Sequence, residues 1–190
     1  MAQFIIPFVL FLAGFLSGYL IFYRRYSVER KKSREDFLTK TLNYREFEKT
    51  LAEILQNNET HIAVSLIDLD DFKSINDNYS YQEGDQILVQ LTDLLSGLTR
   101  SSDLIFRFKN GDEFVIIFKA LQPIYLEMIG ERLRNSIENH NFTLDNKKLQ
   151  LTASIGQTYL EETDTKEGLL DRLETALKRA KNEKNRVKTV

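Results

Sequence analysis

The sequence predicts an α+β fold in which a ferredoxin-like, palm-type βαββαβ core with flanking helices follows one N-terminal transmembrane helix. Two observations lead to this prediction. Segments whose apolar residues recur with helical spacing alternate with short, β-branched apolar runs. A long uncharged segment precedes them, because all 26 Lys and Arg and all 28 Asp and Glu residues lie after residue 23. The chain is therefore expected to join a membrane-spanning helix to one polar domain of ordinary size.

The uncharged run at residues 4–23 is long enough to cross a bilayer as a helix. A cleaved signal peptide is the alternative, but no basic residue precedes the run and no small-x-small cleavage site follows it. The basic residues after the run place the rest of the chain in the cytoplasm by the positive-inside rule. The expected division is a transmembrane anchor at 1–23, a basic juxtamembrane stalk at 24–36 that contacts the lipid bilayer, and one domain at 37–190.

Hydrophobic periodicity predicts the elements of that domain. Helices are expected at 43–57, 83–98, from Pro123 to Ile137, and at 169–180. Strands are expected at 61–68, 104–108, 113–118 and 148–159. Asn110-Gly111 lies between two of these runs, which is a strong signal for a hairpin. The middle of this order is the split-βαβ plan.

Composition excludes several classes of function. A formal net charge of -2 gives no sign of a polyanionic partner, so no nucleic acid is expected to bind. The chain has no cysteine, which excludes a disulfide scaffold and any Cys-ligated zinc.

Acidic side chains are expected to meet at one edge of the sheet. Asp68 ends a predicted strand, and Asp112-Glu113 lies at the hairpin turn. The first strand and the hairpin of a split-βαβ sheet can be neighbours, and clustered carboxylates repel one another unless a divalent cation is present. Hard oxygen ligands suit Mg²⁺ or Mn²⁺, which serve phosphoryl transfer. The alternative is that these are ordinary turn and strand-end acids; Lys73 nearby favours the site.

Several motifs occur in a fixed order along the chain. They are DFLTKTLNYREF at 36–47, DLDDFKSIND at 68–77, Gly84-Asp85, Arg100-Ser101-Ser102-Asp103, Asn110-Gly111-Asp112-Glu113-Phe114, Ser154-Ile155-Gly156 and the Ala180–Val187 segment. Together they resemble the GGDEF family, the diguanylate cyclase domains of bacteria, over residues 36–190. The resemblance implies a homodimer that condenses two GTP molecules to cyclic di-GMP and pyrophosphate. Because the family is bacterial, the anchor expected from the uncharged run would give the protein a single-pass location in a bacterial cell membrane.

The resemblance also implies a role for each matching residue. The metal ions would be held by Asp68, Asp112, Glu113 and the backbone carbonyl of Leu69. Catalysis would depend on Asp112, Glu113 and Lys73. GTP would be bound by Asn76 and Asp85 at the guanine edge, and by Lys73, Lys181, Lys184, Asn110 and Gly111 around the phosphates. A product-binding inhibitory site would contain Arg100 and Asp103.

Four departures from the family pattern bear on activity. Asn110 replaces the first signature glycine, the hairpin is one residue longer, Ser80-Tyr81 replaces Gly-His, and the glycine before Lys184 is missing. These departures favour an alternative function, a module that binds GTP or cyclic di-GMP without turnover and signals through a partner. A third hypothesis is a palm domain that makes another cyclic nucleotide. Asn76 and Asp85 count against it because their donors and acceptors suit guanine.

Overall fold

The computed structural model describes residues 14–21, 34–109, 111–144 and 147–190, of which Glu35–Val190 form one compact unit. Residues 14–21 are helical and are called α1. The other elements are α2 (Tyr44–Gln56), β1 (Ala63–Leu69), α3 (Phe72–Asn78), α4 (Tyr81–Leu98), β2 (Leu104–Phe108), β3 (Glu113–Phe118), a 3₁₀ turn (Pro123–Tyr125), α5 (Leu126–Glu138), β4 (Phe142–Leu144), β5 (Lys147–Leu149), β6 (Ala153–Tyr159), α6 (Lys166–Glu183) and β7 (Val187–Thr189).

The predicted anchor at 4–23 and stalk at 24–36 lie largely outside the described residues. Within the described part of the chain, no helix combines the length and the apolar character needed to span a membrane.

The main sheet has five strands in the order β2-β3-β1-β6-β7. Strand β1 is antiparallel to both β3 and β6, β2 is antiparallel to β3, and β7 is parallel to β6. The helices between β1 and β2 and between β3 and β6 complete the predicted βαββαβ order. The α+β fold class is therefore confirmed, with a mixed sheet.

Helices cover both faces of this sheet, which explains why β1 is buried along its whole length. Alternate side chains point to opposite faces. Ile67 and Leu69 belong to a core cluster with α3, α4 and α5. Val64 and Leu66 belong to a second cluster with α2 and α6. By the same alternation, Asp68 lies on the face that α6 covers.

A glycine allows α6 to pack directly on the sheet. A Cβ atom added to Gly156 of β6 would lie 2.3 Å from the backbone nitrogen of Leu177 and 2.7 Å from the carbonyl oxygen of Leu173. Neither backbone atom can move without moving the helix. Gly156 thus sets how closely α6 approaches the end of β1.

We expect Gly156→Ala to lower the free energy of unfolding by about 3 kcal/mol, because overpacking against backbone cannot be relieved by a side-chain rotation. Chemical denaturation of the full chain measures this. Gly97→Ala is the matched control, because a Cβ there meets no atom within 4 Å, and it should change stability by less than about 1 kcal/mol. Equal effects of the two variants would contradict the proposed packing.

The sequence prediction was wrong for one strand and missed three short elements. The strand predicted at 148–159 was wrong in extent: Lys147–Leu149 pairs with β4 in a separate two-stranded sheet, and β6 begins only at Ala153. Helix α3 and strands β4 and β7 were not predicted. Helix α3 has seven residues and only two of them are buried, and β4 and β7 have three residues each, so none of them carries a continuous apolar run or a helical period.

Candidate active site

The structure brings the predicted acids together at the end of β1. Asp68 and Glu113 are directly paired residues of the antiparallel strands β1 and β3, and Asp112 immediately precedes Glu113. Directly opposite side chains project to the same face of a sheet. Asp68 and Glu113 therefore face the same side, the one covered by α6.

The electrostatics of this cluster disfavour negative charge. Burial raises the pKa of Asp68, the hydrogen bond from Lys181 opposes that shift, and the charge of Asp112 adds to it. Burial also raises the pKa of Glu113, and the charge of Asp68 is the next cause. Three carboxyl groups that repel one another in a desolvated place favour the arrival of a cation.

One carboxylate oxygen of Asp68 is buried and accepts no hydrogen bond within the described part of the chain. Asp68 is 4% exposed, and its Oδ1 atom is buried with no hydrogen-bond partner among the described residues. A buried carboxylate oxygen without a donor is costly. Carboxylate oxygens such as those of Asp68, Asp112 and Glu113 are the hard donors that Mg²⁺ and Mn²⁺ prefer. No three His, Cys, Asp or Glu side chains of the described residues are arranged to hold one ion.

Asp70 has a different task, which the sequence did not reveal. Its carboxylate accepts hydrogen bonds from Thr152 Oγ1 at 2.7 Å, Ser154 Oγ at 2.7 Å and the Asn185 backbone N–H at 2.8 Å. These bonds fasten the end of β1 to the start of β6 and to the turn after α6. Asp70 thereby fixes the position of the backbone next to Asp68. The two acids differ in the residues that surround them in space, not in their sequence context.

A buried ion pair fastens the hairpin. Arg107 Nη1 lies 2.9 Å from Asp36 Oδ1, with both side chains under a tenth exposed, and Arg107 Nε donates to the carbonyl of Gly111 at 3.0 Å. Asp36 also accepts hydrogen bonds from the backbone and hydroxyl of Thr39. Sequence reasoning missed Arg107, although a single arginine inside the apolar run LIFRF was a usable signal.

The hairpin turn is described except at Asn110, which lies outside the described residues. A Cβ atom at Gly111 would meet Glu113 N at 3.9 Å, so space within the protein alone does not require glycine there. The lengthened turn is tied to α6, because Lys109 Nζ lies 2.8 Å from Glu174 Oε1.

The predicted guanine-binding residues lie where α3 meets α4. A Cβ atom at Gly84 would lie 2.0 Å from Asn76 Oδ1, so the Asn76 side chain rests on the backbone of α4 next to Asp85. Ser80, where the family has glycine, caps α4: its hydroxyl accepts from Glu83 N–H and donates to the Glu83 carboxylate.

A surface cavity of about 470 Å³ adjoins Asp85. Leu38 supplies an apolar side to it, and the remaining lining residues come from α4: Gln82, Asp85, Gln86, Val89 and Gln90. Sequence analysis did not select Leu38, although its position inside the Asp36–Phe47 motif could have drawn attention to it.

The resemblance to the GGDEF family predicts that Asn76 binds the guanine of GTP. If it does, Gly84→Ala should raise the KM for GTP about tenfold, because the new methyl group would displace the Asn76 amide and remove about one hydrogen bond to the base. Thermal stability should change little, since a half-buried Asn side chain can rotate away. Steady-state kinetics and thermal unfolding of the full chain separate the two effects. Gly97→Ala, on the same helix, should leave the KM unchanged. An unchanged KM in Gly84→Ala would show that Asn76 does not bind the base.

The three predicted phosphate-binding lysines differ in their surroundings. Lys181 Nζ lies 2.5 Å from Asp68 Oδ2. Lys184 Nζ donates to both oxygens of the exposed Asp71, at 2.7 and 2.8 Å. Lys73 is exposed on α3 and makes no ion pair within the described part of the chain. The structure therefore brings Lys181 alone of these three into contact with the acidic cluster.

Lys184 occupies the strained end of α6. It is the C-cap residue with φ 53° and ψ 158°, a conformation that suits glycine and costs other residues about 1–3 kcal/mol. Lys184 therefore adopts, at the end of α6, a backbone conformation that favours glycine.

We expect Lys184→Gly to stabilise the protein by about 1 kcal/mol, because relief of strain exceeds the loss of an exposed ion pair. Lys184→Ala loses the same ion pair and keeps the strain, so it should be no more stable than wild type. Denaturant titration of both variants measures the difference, and a glycine variant no more stable than the alanine variant would contradict the strain.

The predicted inhibitory site has a local structural role. The Asp103 carboxylate accepts the Arg100 backbone N–H at 2.9 Å and the Lys119 backbone N–H at 3.4 Å. This closes the turn between α4 and β2. Arg100 is exposed, and a product site at these two residues stays a prediction.

Comparisons with known proteins agree with the geometry. A family model described as diguanylate cyclase, GGDEF domain, matches residues 33–186. An uncharacterized membrane protein of Staphylococcus epidermidis is 34% identical over 139 residues, which make up 71% of this chain and 39% of that protein. A corresponding protein of Staphylococcus aureus is 35% identical with the same coverage. The chain thus spans well under half the length of these curated relatives.

Solved structures share the fold. The diguanylate cyclase SiaD of Pseudomonas aeruginosa, in complex with its activator SiaC, has a TM-score of 0.78 and 25% identity and covers 94% of this chain and 70% of its own. The coiled coil and GGDEF domain of DgcB from Caulobacter crescentus, in complex with c-di-GMP, has a TM-score of 0.76 and covers 94% and 97%. At 21% identity the second likeness concerns the fold alone. Because the family model matches most of its length, this chain belongs to the family of diguanylate cyclase GGDEF domains.

Proposed function

We propose that the protein is an active diguanylate cyclase, which works as a homodimer and condenses two GTP molecules to cyclic di-GMP and two pyrophosphates. The single observation that carries this proposal is the acidic centre. Asp68 and Glu113 face the same side across β1 and β3, and a buried Asp68 oxygen has no hydrogen-bond partner among the described residues. A domain without metal-dependent chemistry gains nothing from such a costly arrangement.

In the proposed reaction, the 3′-hydroxyl oxygen of each GTP attacks the α-phosphorus of the other. Two phosphodiester bonds form, and the bond from each α-phosphorus to its pyrophosphate breaks. Glu113, whose pKa is raised by burial and by the charge of Asp68, lies at the centre and accepts the hydroxyl proton. Two nucleotides are needed but each chain offers one acidic centre, so the proposal includes a homodimer.

Metal ions and phosphates have proposed partners in this chain. Asp68, Asp112, Glu113 and the Leu69 carbonyl would hold Mg²⁺ or Mn²⁺. The ion, when bound, supplies charge neutralisation at the phosphate oxygens. Asn110 and Gly111, between β2 and β3 in the sequence, are proposed to contact the phosphates.

The charged and polar groups around the site complete the binding of GTP. Asn76 and Asp85 read the guanine edge beside the cavity at α4. Lys73, Lys181 and Lys184 are proposed to meet the triphosphate, for which Lys184 must first leave Asp71.

The second candidate function is a module that binds GTP or cyclic di-GMP without turnover. The observation in its favour is that Lys181 and Lys184 both form ion pairs with carboxylates, which leaves Lys73 as the one of the three lysines without an ion pair among the described residues. In that case Arg100 and Asp103 would bind the product while the acidic centre stays inactive.

One experiment separates these functions. The full chain is reconstituted in lipid nanodiscs and incubated with GTP and Mg²⁺ or Mn²⁺, and the nucleotides are separated by chromatography. The cyclase proposal expects conversion of GTP to cyclic di-GMP. Binding of GTP without any product would support the module, and a cyclic product from ATP at an equal rate would contradict guanine selection by Asn76 and Asp85.

We also propose that residues 4–23 anchor the protein in the bacterial cell membrane with the domain in the cytoplasm. The uncharged run and the basic residues that follow it support this, as do the relatives described as membrane proteins. The test is cell fractionation of wild type and of a Leu12→Arg, Leu16→Arg variant. Each arginine costs about 3 kcal/mol at the centre of a spanning helix, so the variant should leave the membrane fraction; equal membrane recovery would contradict the anchor.

A further inference from the structure

Lys181 occupies the place where a cation is expected. Its Nζ atom lies 2.5 Å from Asp68 Oδ2, on the carboxylate whose other oxygen is buried without a hydrogen-bond partner among the residues that the structure describes. Its positive charge also acts on Glu113, since it counts among the causes that lower the pKa of that group. In the metal-free protein, one lysine therefore provides positive charge to both acids of the strand pair.

The position of Lys181 allows it to leave. The residue lies in the last turn of α6, and its side chain is 45% exposed while that of Asp68 is 5% exposed. The four-carbon stem of lysine carries a compact ammonium group that can rotate away from its partner. The Asp68 carboxylate is held in place by its position in β1, whereas the Lys181 ammonium is held by its contact with that carboxylate.

A metal ion and the Lys181 ammonium would compete for the same carboxylate, that of Asp68. A Mg²⁺ ion held by Asp68 would put a second cation on a carboxylate that already contacts the Lys181 ammonium. The resulting repulsion weakens metal binding as long as the ammonium stays. A triphosphate offers Lys181 a second anionic partner, so nucleotide binding removes the competitor. Binding energies of two ligands coupled in this way are reciprocal.

We propose that Lys181 is an internal cation, which neutralises the acidic centre in the metal-free protein and couples metal binding to nucleotide binding. The inference rests on the metal site of the proposed function and adds to it the regulation of that site. It assigns Lys181 two alternative partners: Asp68 before nucleotide arrives and phosphate oxygens afterwards. Without nucleotide, the protein resists divalent cations.

The test measures Mn²⁺ binding to the full chain in nanodiscs without any nucleotide, by the loss of the free Mn²⁺ signal in electron paramagnetic resonance. Lys181→Met should bind Mn²⁺ about tenfold more tightly than wild type, because the competing charge is gone. Lys181→Arg keeps the charge and should bind as weakly as wild type. Added Mn²⁺ should also raise the melting temperature of Lys181→Met more than that of wild type.

Lys184→Met is the matched control. It removes the same charge from the same end of α6, but its partner is the exposed Asp71 rather than Asp68. Its Mn²⁺ affinity should stay within about twofold of wild type. If Lys181→Met binds Mn²⁺ no more tightly than wild type, including no detectable binding by either, or if Lys184→Met gains as much, the internal-cation proposal is overturned.

These outcomes are independent of turnover, because no GTP is present. A protein that makes no cyclic di-GMP but shows the tenfold gain in Lys181→Met would overturn the cyclase proposal and support the internal cation. An active cyclase without that gain would overturn the internal cation alone.

Discussion

Asp112→Asn is expected to reduce cyclic di-GMP formation by at least about 10²-fold, the loss seen when a group that stabilises charge in a transition state is removed. The substitution keeps size and removes the charge from the hairpin end of the acidic centre. Product formation by the full chain under saturating GTP and Mg²⁺ measures it.

The same variant should be as stable as wild type or more stable. The charge of Asp112 raises the pKa of Asp68, so its removal relieves repulsion of up to about 1 kcal/mol between neighbouring like charges. A functional acid at this place therefore lowers stability, whereas a structural acid would increase it. Asp93→Asn, an exposed position on α4, is the control and should leave both activity and stability unchanged. An Asp112→Asn protein that is active, or that loses stability by several kcal/mol, would contradict the assignment.

Arg107→Met is expected to lower the free energy of unfolding by about 3–5 kcal/mol, because removal of one partner of a buried ion pair leaves the other charge uncompensated. The remaining Asp36 carboxylate is 6% exposed. Denaturant titration at pH 7 provides the measurement. Arg132→Met removes an exposed arginine and should cost less than about 1 kcal/mol. Similar losses of unfolding free energy in the two variants would contradict a special contribution of the buried Arg107–Asp36 ion pair to stability.

The pH dependence of Arg107→Met gives a second readout. Burial raises the pKa of Asp36, but hydrogen bonds from Thr39 and Arg107 outweigh it and hold the pKa below its ordinary value of 3.8. A depressed pKa contributes stability that is present above the unfolded-state pKa and is lost as pH falls through the folded-state value. The difference between wild type and variant should therefore be constant above about pH 5 and shrink towards pH 3. A difference that grows on acidification would contradict the ion pair.

The sheet and its acidic edge were predictable because continuous apolar runs mark the strands. Apolar runs located β1, β2 and β3, and the Asn110-Gly111 signal joined the last two as a hairpin. Once β1 and β3 are neighbours, residues at their ends must meet. The extent of β6 was not predictable, because the break at residues 150–152 carries no strong turn residue.

The roles of individual polar residues needed three-dimensional neighbours. Asp68 and Asp70 look equivalent in the sequence. Asp70 accepts three hydrogen bonds, whereas one buried oxygen of Asp68 has no partner within the described part of the chain. Lys181 and Lys184 look like two phosphate ligands, but they contact different acids. The link from Arg107 to Asp36 spans 71 residues, so no local pattern contains it.

The most direct measurement of the central claim is the stoichiometry of the reaction catalysed by the full chain. GTP and Mg²⁺ are supplied, and cyclic di-GMP and pyrophosphate are quantified over the same time course in wild type and Asp112→Asn. The account predicts two pyrophosphates for each cyclic di-GMP in wild type and neither product in the variant. Recovery of intact GTP from a folded, GTP-bound wild type would contradict it.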